Sequence, residues 1–342
     1  MTIRTAIVGP TGYSGFHLIE LLLRHPAARI TYLASRRKEL PHIGQEFPQL
    51  LARVPEEIAV CRPIDAIALA QAADVVFLCL PHGAAMQYVP SLLKAAVRVI
   101  DLSADYRLSN STAYEQVYGH PHEDAESLST AVYGLTEFYR DALPGAKLVA
   151  NPGCYPQAAS LAIVPLLDRK LVKPTPIMIN AASGVTGAGR SPSANLHYAE
   201  HNESYYPYGT IGGHRHQPEI EQVLNNLAGQ STSVLFVPHL LPIDRGILTT
   251  IFLEPASSKV SEDDLFEALE SCYADERFIR VRPELPNVKH VRNTNYCDIT
   301  VRLADGHVVV FSAIDNMIKG ASGQAVQNMN VMFGQEETDG LI

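Results

Sequence analysis

The chain has 342 residues, of which 46% are hydrophobic and 18% charged. These are ordinary values for a globular protein, with material for two domains. A net charge of -9 argues against a general nucleic-acid binder, which needs a basic surface, yet leaves room for an anionic substrate held by local arginines. The five cysteines, Cys61, Cys79, Cys154, Cys272 and Cys297, are widely spaced and form no CxxC pair. That spacing suits reduced thiols in a cytoplasmic protein and offers no zinc site, so no metal is expected. Met1-Thr2-Ile3-Arg4-Thr5 runs straight into a strand, so no signal peptide is expected, and no apolar stretch is long enough to span a membrane.

Thr5 to Val8 is an apolar run followed by Gly9-Pro10-Thr11-Gly12-Tyr13-Ser14-Gly15 and a periodic helix from about Ser14 to Arg24. Strand, glycine loop and helix in that order form a dinucleotide-binding unit. The glycines allow a tight turn, and a pyrophosphate can sit on the helix N-terminus. Ile30 to Ala34 reads as the second strand and ends in Ser35-Arg36-Arg37-Lys38, with no acid before Glu39. An NAD site usually places Asp or Glu there for the ribose 2′-hydroxyl, whereas arginines match a 2′-phosphate. The expected cofactor is therefore NADP(H), with Gly9, Thr11, Gly12, Tyr13, Ser14, Gly15, Ser35, Arg36 and Arg37 as ligands.

Asp74 to Leu80 is nearly all apolar, as a parallel strand buried on both faces should be. It assigns Cys79 to an inert core. A helix at about Ala84 to Ala96 and strands at Arg98 to Leu102 and Lys147 to Ala150 continue the alternation of a doubly wound sheet. Arg107 follows a strand end, where ligands sit in such sheets. His120 and His122 lie in a turn-rich stretch and read as surface residues.

Cys154 sits in Asn151-Pro152-Gly153-Cys154-Tyr155-Pro156, ahead of a predicted helix from Gln157 to Leu167. A thiol at a helix start faces unpaired N–H groups and the positive end of the helix dipole, and both favour the nucleophilic thiolate. After Lys170 the texture becomes α+β. Strands are expected at Ile177 to Ala181, Ser233 to Val237 and Leu248 to Leu253, and a helix from Ser261 to about Tyr273. Asp298 to Leu303 and Val308 to Ala313 flank Asp305-Gly306 as a hairpin, and a final apolar helix covers about Ala321 to Met332. Residues 1–152, completed by a C-terminal segment at about 316–342, read as a Rossmann-like domain. Residues 153–315 read as an α+β catalytic and oligomerisation domain with a mixed sheet. The acid/base partner of the thiol is sought in Gly212-Gly213-His214-Arg215-His216-Gln217-Pro218-Glu219-Ile220-Glu221. His216 is preferred over His214. Arg107, Arg190 at the end of Ser183 to Arg190, and Arg245 are the candidate anion ligands.

Five motifs together carry a resemblance: Gly9 to Gly15, Asn151 to Pro156, Ser183 to Arg190, His214 to Glu221, and Asp315-Asn316-Met317-Ile318-Lys319-Gly320-Ala321. In this order they resemble the N-acetyl-gamma-glutamyl-phosphate reductase family, related to the aspartate-semialdehyde dehydrogenases. Gln157 departs from the Thr expected after Pro-Gly-Cys-Tyr-Pro. The resemblance implies NADPH-dependent reduction of N-acetyl-L-glutamyl 5-phosphate to the 5-semialdehyde through a Cys154 thioester, in arginine biosynthesis. It places Ser183, Gly184 and Asn316 on the cofactor side and implies a homodimer or homotetramer, with no nucleic-acid or membrane partner. The alternatives are a reductase of aminoadipyl or aspartyl phosphate and, more remotely, a non-catalytic NADP(H) sensor.

Overall fold

The computed structural model describes residues 2–209 and 213–342. It divides into two compact units, Met1–Pro152 with Ala321–Ile342, and Gly153–Gly320.

The first unit holds β1 (Ile3–Val8), β2 (Ala28–Ala34), β3 (Val75–Leu78), β4 (Arg98–Asp101), β5 (Val132–Tyr133) and β6 (Leu148–Ala150). Their order is β2-β1-β3-β4-β6-β5, and every pairing is parallel. A sheet of this kind is covered on both faces, so its strands carry apolar runs without alternation. All four residues of β3 are buried accordingly. The connections include α1 (Tyr13–Leu23), α2 (Ala66–Ala72), α3 (Val89–Lys94) and α4 (Ser111–Tyr118). The helix expected over 84–96 is broken into a 3₁₀ turn at Ala85–Gln87 and α3. Pro90 is the cause: lacking an N–H, it fits only a first helical turn.

The second unit holds α5 (Cys154–Asp168), β7 (Ile177–Ser183), β8 (Tyr206–Pro207), α6 (His216–Ala228), β9 (Val234–Leu240) and β10 (Ile247–Leu253). It continues with α7 (Glu262–Cys272), β11 (Ile279–Val281), β12 (Cys297–Ala304) and β13 (His307–Ile314). The sheet order is β11-β12-β13-β10-β7-β9-β8, with parallel β11–β12 and β7–β9 pairs and antiparallel pairs elsewhere, so it is mixed. Asp305 (φ 50°) and Gly306 (φ 78°) turn the β12–β13 hairpin in the left-handed region that a two-residue turn of this type requires. Ser261 and Asp264 close a capping box at the start of α7. The last helix, α8 (Gly323–Met332), belongs to the first unit.

The helix α5 organises the second unit. Every residue from Tyr155 to Leu167 is buried, and the helix packs on β10, β13, α6 and α7. Pro165 lies inside it and cannot donate to the Leu161 carbonyl one turn back. The Tyr273 hydroxyl donates to that oxygen instead, at 2.5 Å. Ser312 Oγ donates to the Ala158 carbonyl at 2.7 Å. The opposite face of the sheet is only half covered. Register places Val309, Phe252, Met178 and Leu235 side by side across β13, β10, β7 and β9. Phe252 is 40% exposed, Met178 44% and Leu235 42%.

The glycine loop is a tight packing problem as well as a turn. Gly9 has φ +85°, and a Cβ there would lie 2.4 Å from the Cys79 carbonyl oxygen. A left-handed backbone carrying a side chain that collides with an adjacent strand end has no cheap relaxation. Gly9→Ala is expected to lower the stability of the first unit by at least about 2 kcal/mol. Gly306→Ala, where nothing lies within 4 Å of a built Cβ, serves as the control for left-handed backbone without collision. Denaturant titration of the two variants checks this, the collision predicting a clearly larger loss at Gly9.

Candidate active site

In the first unit, β1 ends in the glycine loop and Gly12 caps α1 without a side chain. A Cβ on Gly15 would come within 2.6 Å of Pro10 Cα, so that glycine lets the helix close onto the loop. A Cβ on Gly12 would meet nothing nearer than the Gly9 carbonyl oxygen at 3.9 Å. The space over Gly12 is therefore open, and the first-turn N–H groups lack a side-chain cap. This is what a pyrophosphate bound by Thr11, Tyr13, Ser14 and the three glycines would use. At the end of β2, Ser35 is buried and its Oγ accepts the Arg37 N–H at 3.2 Å. Arg36 and Arg37 are exposed. Arg37 is ion-paired with Glu46, whereas Arg36 has no side-chain partner among the described residues, which leaves it the better placed of the two for a phosphate. These residues fit a dinucleotide with a 2′-phosphate.

The loop after β4 is braced by two buried carboxylates. Asp101 accepts from Ser103 N (3.0 Å) and Ser103 Oγ (2.7 Å). Burial, with Asp105 adding to it, pushes the Asp101 carboxyl up to about 7. Asp105 accepts from Gly83 N (2.7 Å) and Ala85 N (2.9 Å), which ties the loop after β3 to the loop after β4. Arg107 is 7% exposed. Its Nε donates to the Asn151 carbonyl at 2.8 Å and its Nη2 to the Leu102 carbonyl at 2.9 Å. It therefore carries a fixed positive charge between the end of β6 and the end of β4. His122 corrects the sequence reading: it is buried, its Nε2 lies 2.7 Å from the Asp105 carbonyl, and its Nδ1 accepts the Asp124 N–H. His120 is exposed, as expected.

In the second unit, Cys154 is the first residue of α5, three positions earlier than the expected helix start, and Gly153 caps it without a side chain. The capping residue's own N–H is donated to Glu219 Oε1 at 2.9 Å. Gly320 packs on Cys154 so closely that a Cβ there would sit 2.8 Å from the cysteine Cβ. Burial pushes three other thiols up: Cys61 and Cys272 to about 11, and Cys79 further. Those three stay protonated at neutral pH.

Around Cys154 lies a cluster of rings. The Tyr208 hydroxyl donates to the Tyr155 hydroxyl at 2.9 Å. Burial raises both phenols, and the neighbouring Cys154 adds to the shift in each. The His214 ring lies 5.8 Å from Tyr155, 5.6 Å from Tyr208, 5.2 Å from Phe236 and 5.0 Å from His216. His214 Nδ1 accepts the His216 N–H at 3.2 Å. Burial, then the Arg215 charge, push His214 down to about 4. His216 opens α6, is 6% exposed, and lies 5.7 Å from the Tyr155 ring. Gly212 of this motif lies outside the described residues.

The remaining sequence candidates divide. Arg190 is exposed, beyond the 3₁₀ turn that follows β7. Arg245 is a correction. It is buried, and its Nη1 donates to Asn293 Oδ1 at 2.5 Å and pairs with Asp315 Oδ2 at 3.3 Å. It is a counter-ion within the protein and not an open anion ligand. Asp315 also accepts from the N–H groups of Met317, Ile318 and Asn293, which folds the segment that delivers Gly320 to Cys154. Asn316 is buried, accepting from Gly246 N at 2.7 Å and donating to Thr186 Oγ1 at 3.0 Å. Ser183 is buried and its Oγ donates to the Gly184 carbonyl. Tyr155, Tyr208, Arg215, Glu219 and Asp315 were not singled out from the sequence. Their only signal there was proximity to the cysteine, histidine and Asp-Asn motifs.

Comparison with known proteins identifies the family. Residues 4–146 match the family model described as the NAD binding domain of semialdehyde dehydrogenase, and residues 154–316 match its dimerisation domain. An N-acetyl-gamma-glutamyl-phosphate reductase of Geotalea daltonii is 47% identical, over 99% of this chain and 98% of its own. One of Desulforapulum autotrophicum is 45% identical over the same shares. Among solved structures, aspartate semialdehyde dehydrogenase II of Vibrio cholerae complexed with ASA has a TM-score of 0.73 at 14% identity, covering 98% of this chain and 99% of that one. The Candida albicans aspartate semialdehyde dehydrogenase with NADP has a TM-score of 0.70 at 15% identity, covering 97% and 99%. With a glycine loop at the end of β1, a cysteine at the start of α5 and full-length identity at this level, the chain belongs to the N-acetyl-gamma-glutamyl-phosphate reductase family, oxidoreductases of the two-domain semialdehyde dehydrogenase fold.

Proposed function

We propose that the protein reduces N-acetyl-L-glutamyl 5-phosphate to N-acetyl-L-glutamate 5-semialdehyde and phosphate, using NADPH, through a thioester on Cys154. The reaction is a step of arginine biosynthesis, and the cytoplasm is its setting. The observation that carries the mechanism is Cys154 at the first position of the buried helix α5. Helix N–H groups and the dipole favour its thiolate.

His216 takes the thiol proton. The thiolate attacks the acyl carbon, and the N–H groups at the start of α5 are placed to receive the oxyanion. The C–O bond to phosphate breaks, the phosphate leaves with the proton held by His216, and a thioester forms. NADPH, when bound, would supply the hydride for the thioester carbonyl. The thiohemiacetal alkoxide that results collapses: its C–S bond breaks, the aldehyde leaves, and a solvent proton relayed through His216 restores the Cys154 thiol. Arg107 and Arg190 are the proposed ligands of the substrate's phosphate and carboxylate, and Arg215 joins them through its position beside His214. Because phosphate is itself the leaving group, no activated water is needed.

The half-covered sheet face of the second unit is the proposed homodimer surface. Val309, Phe252, Met178 and Leu235 form one apolar row there, of the kind that marks a subunit interface when left exposed. Among the described residues no helix is long and apolar enough to cross a membrane.

Three outcomes test these assignments. In the reverse direction, NADP⁺ reduction with N-acetyl-L-glutamate semialdehyde should require inorganic phosphate. Cys154→Ala should lower that rate by about 10⁴-fold or more while the NADPH dissociation constant stays within about threefold. Faster turnover of aspartate or aminoadipate semialdehydes would reassign the substrate. Arg36→Ala should weaken NADPH by about tenfold or more, the worth of one charge-assisted hydrogen bond, and leave NADH unchanged. Arg37→Ala should do less, since Arg37 is already paired with Glu46; equal losses for both cofactors would remove the 2′-phosphate reading. Met178→Glu with Phe252→Glu should halve the mass measured by light scattering, whereas a wild-type chain that already runs as a monomer would overturn the interface.

A further inference from the structure

Glu219 is 1% exposed and lies in the first turn of α6, three residues past His216. A buried carboxylate is unfavourable unless hydrogen bonds replace its water. Its Oε1 takes the Gly153 N–H at 2.9 Å, from a residue 66 positions away in sequence. Gly153 caps α5, with φ −70° and ψ 153°, and its carbonyl accepts the Gln157 N–H at 3.1 Å. One side chain of the histidine helix is thus bonded to the residue that sets where the cysteine helix begins. Further braces on α5 are of other kinds. Tyr273 and Ser312 reach the carbonyls of Leu161 and Ala158, and Gly320 packs against the side of Cys154.

We propose that Glu219 is the positioning residue of the nucleophile: by accepting the Gly153 N–H it fixes the start of α5, and with it the Cys154 thiol, against the helix that carries His216. The inference rests on the reading of Cys154 as nucleophile and His216 as its acid/base. Hydrogen-bond acceptance at this one atom is the working part. Residues at positions 216 and 219 share a helix face, so the same turn of α6 presents both the imidazole and the carboxylate toward the start of α5. Loss of the bond would let the cap and the thiol drift, and misplacement of reacting groups by about 1 Å costs about 10²-fold in rate.

The test uses the full chain and three readouts: kcat and KM for phosphate-dependent NADP⁺ reduction, the denaturation midpoint, and the rate of iodoacetamide labelling of Cys154 relative to Cys272 by peptide mass spectrometry. Glu219→Ala is expected to lower kcat by about 100-fold with the KM for NADP⁺ within about threefold, and to slow Cys154 labelling. Glu219→Gln, which keeps an acceptor oxygen at the same reach, should recover at least about tenfold of that loss, which a residue serving only the fold's overall stability would not show. If Glu219→Ala does not fold, Glu219→Asp, which draws the acceptor back by one methylene, carries the same comparison with Gln. A folded Glu219→Ala with kcat within about threefold of wild type would overturn the proposal, and so would Gln and Ala variants equally impaired. Wild-type Cys154 labelling no faster than Cys272 would instead defeat the nucleophile reading on which the proposal rests.

Discussion

The donation of the Gly153 N–H to the buried Glu219 carboxylate sets where α5 begins, and the chemistry of the second unit depends on that point. A helix start exposes N–H groups that have no partner within the helix. Here the first residue is a cysteine, and the twelve-residue run from Pro156 to Leu167 behind it is buried throughout. Such a helix has no solvent-facing side along which it could slide or fray. Pro165 would ordinarily leave a carbonyl unsatisfied in this interior, and the Tyr273 hydroxyl removes that penalty. Gly320 then closes the remaining side, since any Cβ there would strike Cys154. The thiol is held by packing and backbone hydrogen bonds, and the dipole acts on a fixed target.

The same device recurs wherever a loop has to hold a shape at a strand end. Asp105 accepts two backbone N–H groups from the loop after β3, and Asp315 accepts three, two of which fold the segment leading to Gly320 while the third ties in Asn293. A carboxylate accepting several N–H groups makes stronger bonds than a neutral acceptor, and burial makes it intolerant of losing them. Arg245 balances the charge of Asp315, whose side chain is shut off from solvent. Asp101 stands apart because its carboxyl is pushed up to about 7 by burial and by Asp105. In the unfolded chain it ionises near 4. Between those values the unfolded state holds fewer protons, so this residue's contribution favours folding most below pH 4 and declines as pH rises through 7.

Local chemistry made much of the fold legible in the sequence. The apolar run at 74–80, the glycine loop, the Ser261 cap and the Asp305-Gly306 turn each have a short-range cause, and the expected element stands at each. The break at Pro90 was equally local; a helix drawn through it ignored the missing N–H. The hairpin and the strand pattern made the sheet of the second unit legible as mixed or antiparallel, and the parallel β7–β9 and β11–β12 pairs make it mixed; the two-residue strands β5 and β8 carry too few residues to show a period. Residue roles were harder to read. Glu219 and Gly153, Arg245 and Asp315, and His122 and Asp105 are pairs whose meaning depends on contacts between distant segments. Arginine in a strand-end loop looks the same in sequence whether it faces an anion or an internal aspartate. The motif order pointed to the family, but it could not say which charged residues face inward.

The two histidines illustrate how a helix boundary separates roles that sequence leaves equivalent. They are two residues apart, and α6 begins between them at His216. His214 lies outside the helix, and its Nδ1 accepts the first helical N–H. That nitrogen cannot carry a proton while the bond exists, and burial beside Arg215 holds the ring neutral down to about pH 4. Exchanging a proton at Nδ1 would break the cap. In the unfolded chain the ring protonates near 6.5. The depressed value therefore contributes fully to stability above 6.5, and roughly 3 kcal/mol is lost as pH falls toward 4. A side chain that stabilises the fold by staying neutral is poorly suited to cycling between charged and neutral forms. His216 has no such duty in capping, shares its helix turn with Glu219, and stands beside the Tyr155 ring next to Cys154. In the proposed mechanism the proton traffic of the thiol falls to His216 because the helix start has already claimed His214.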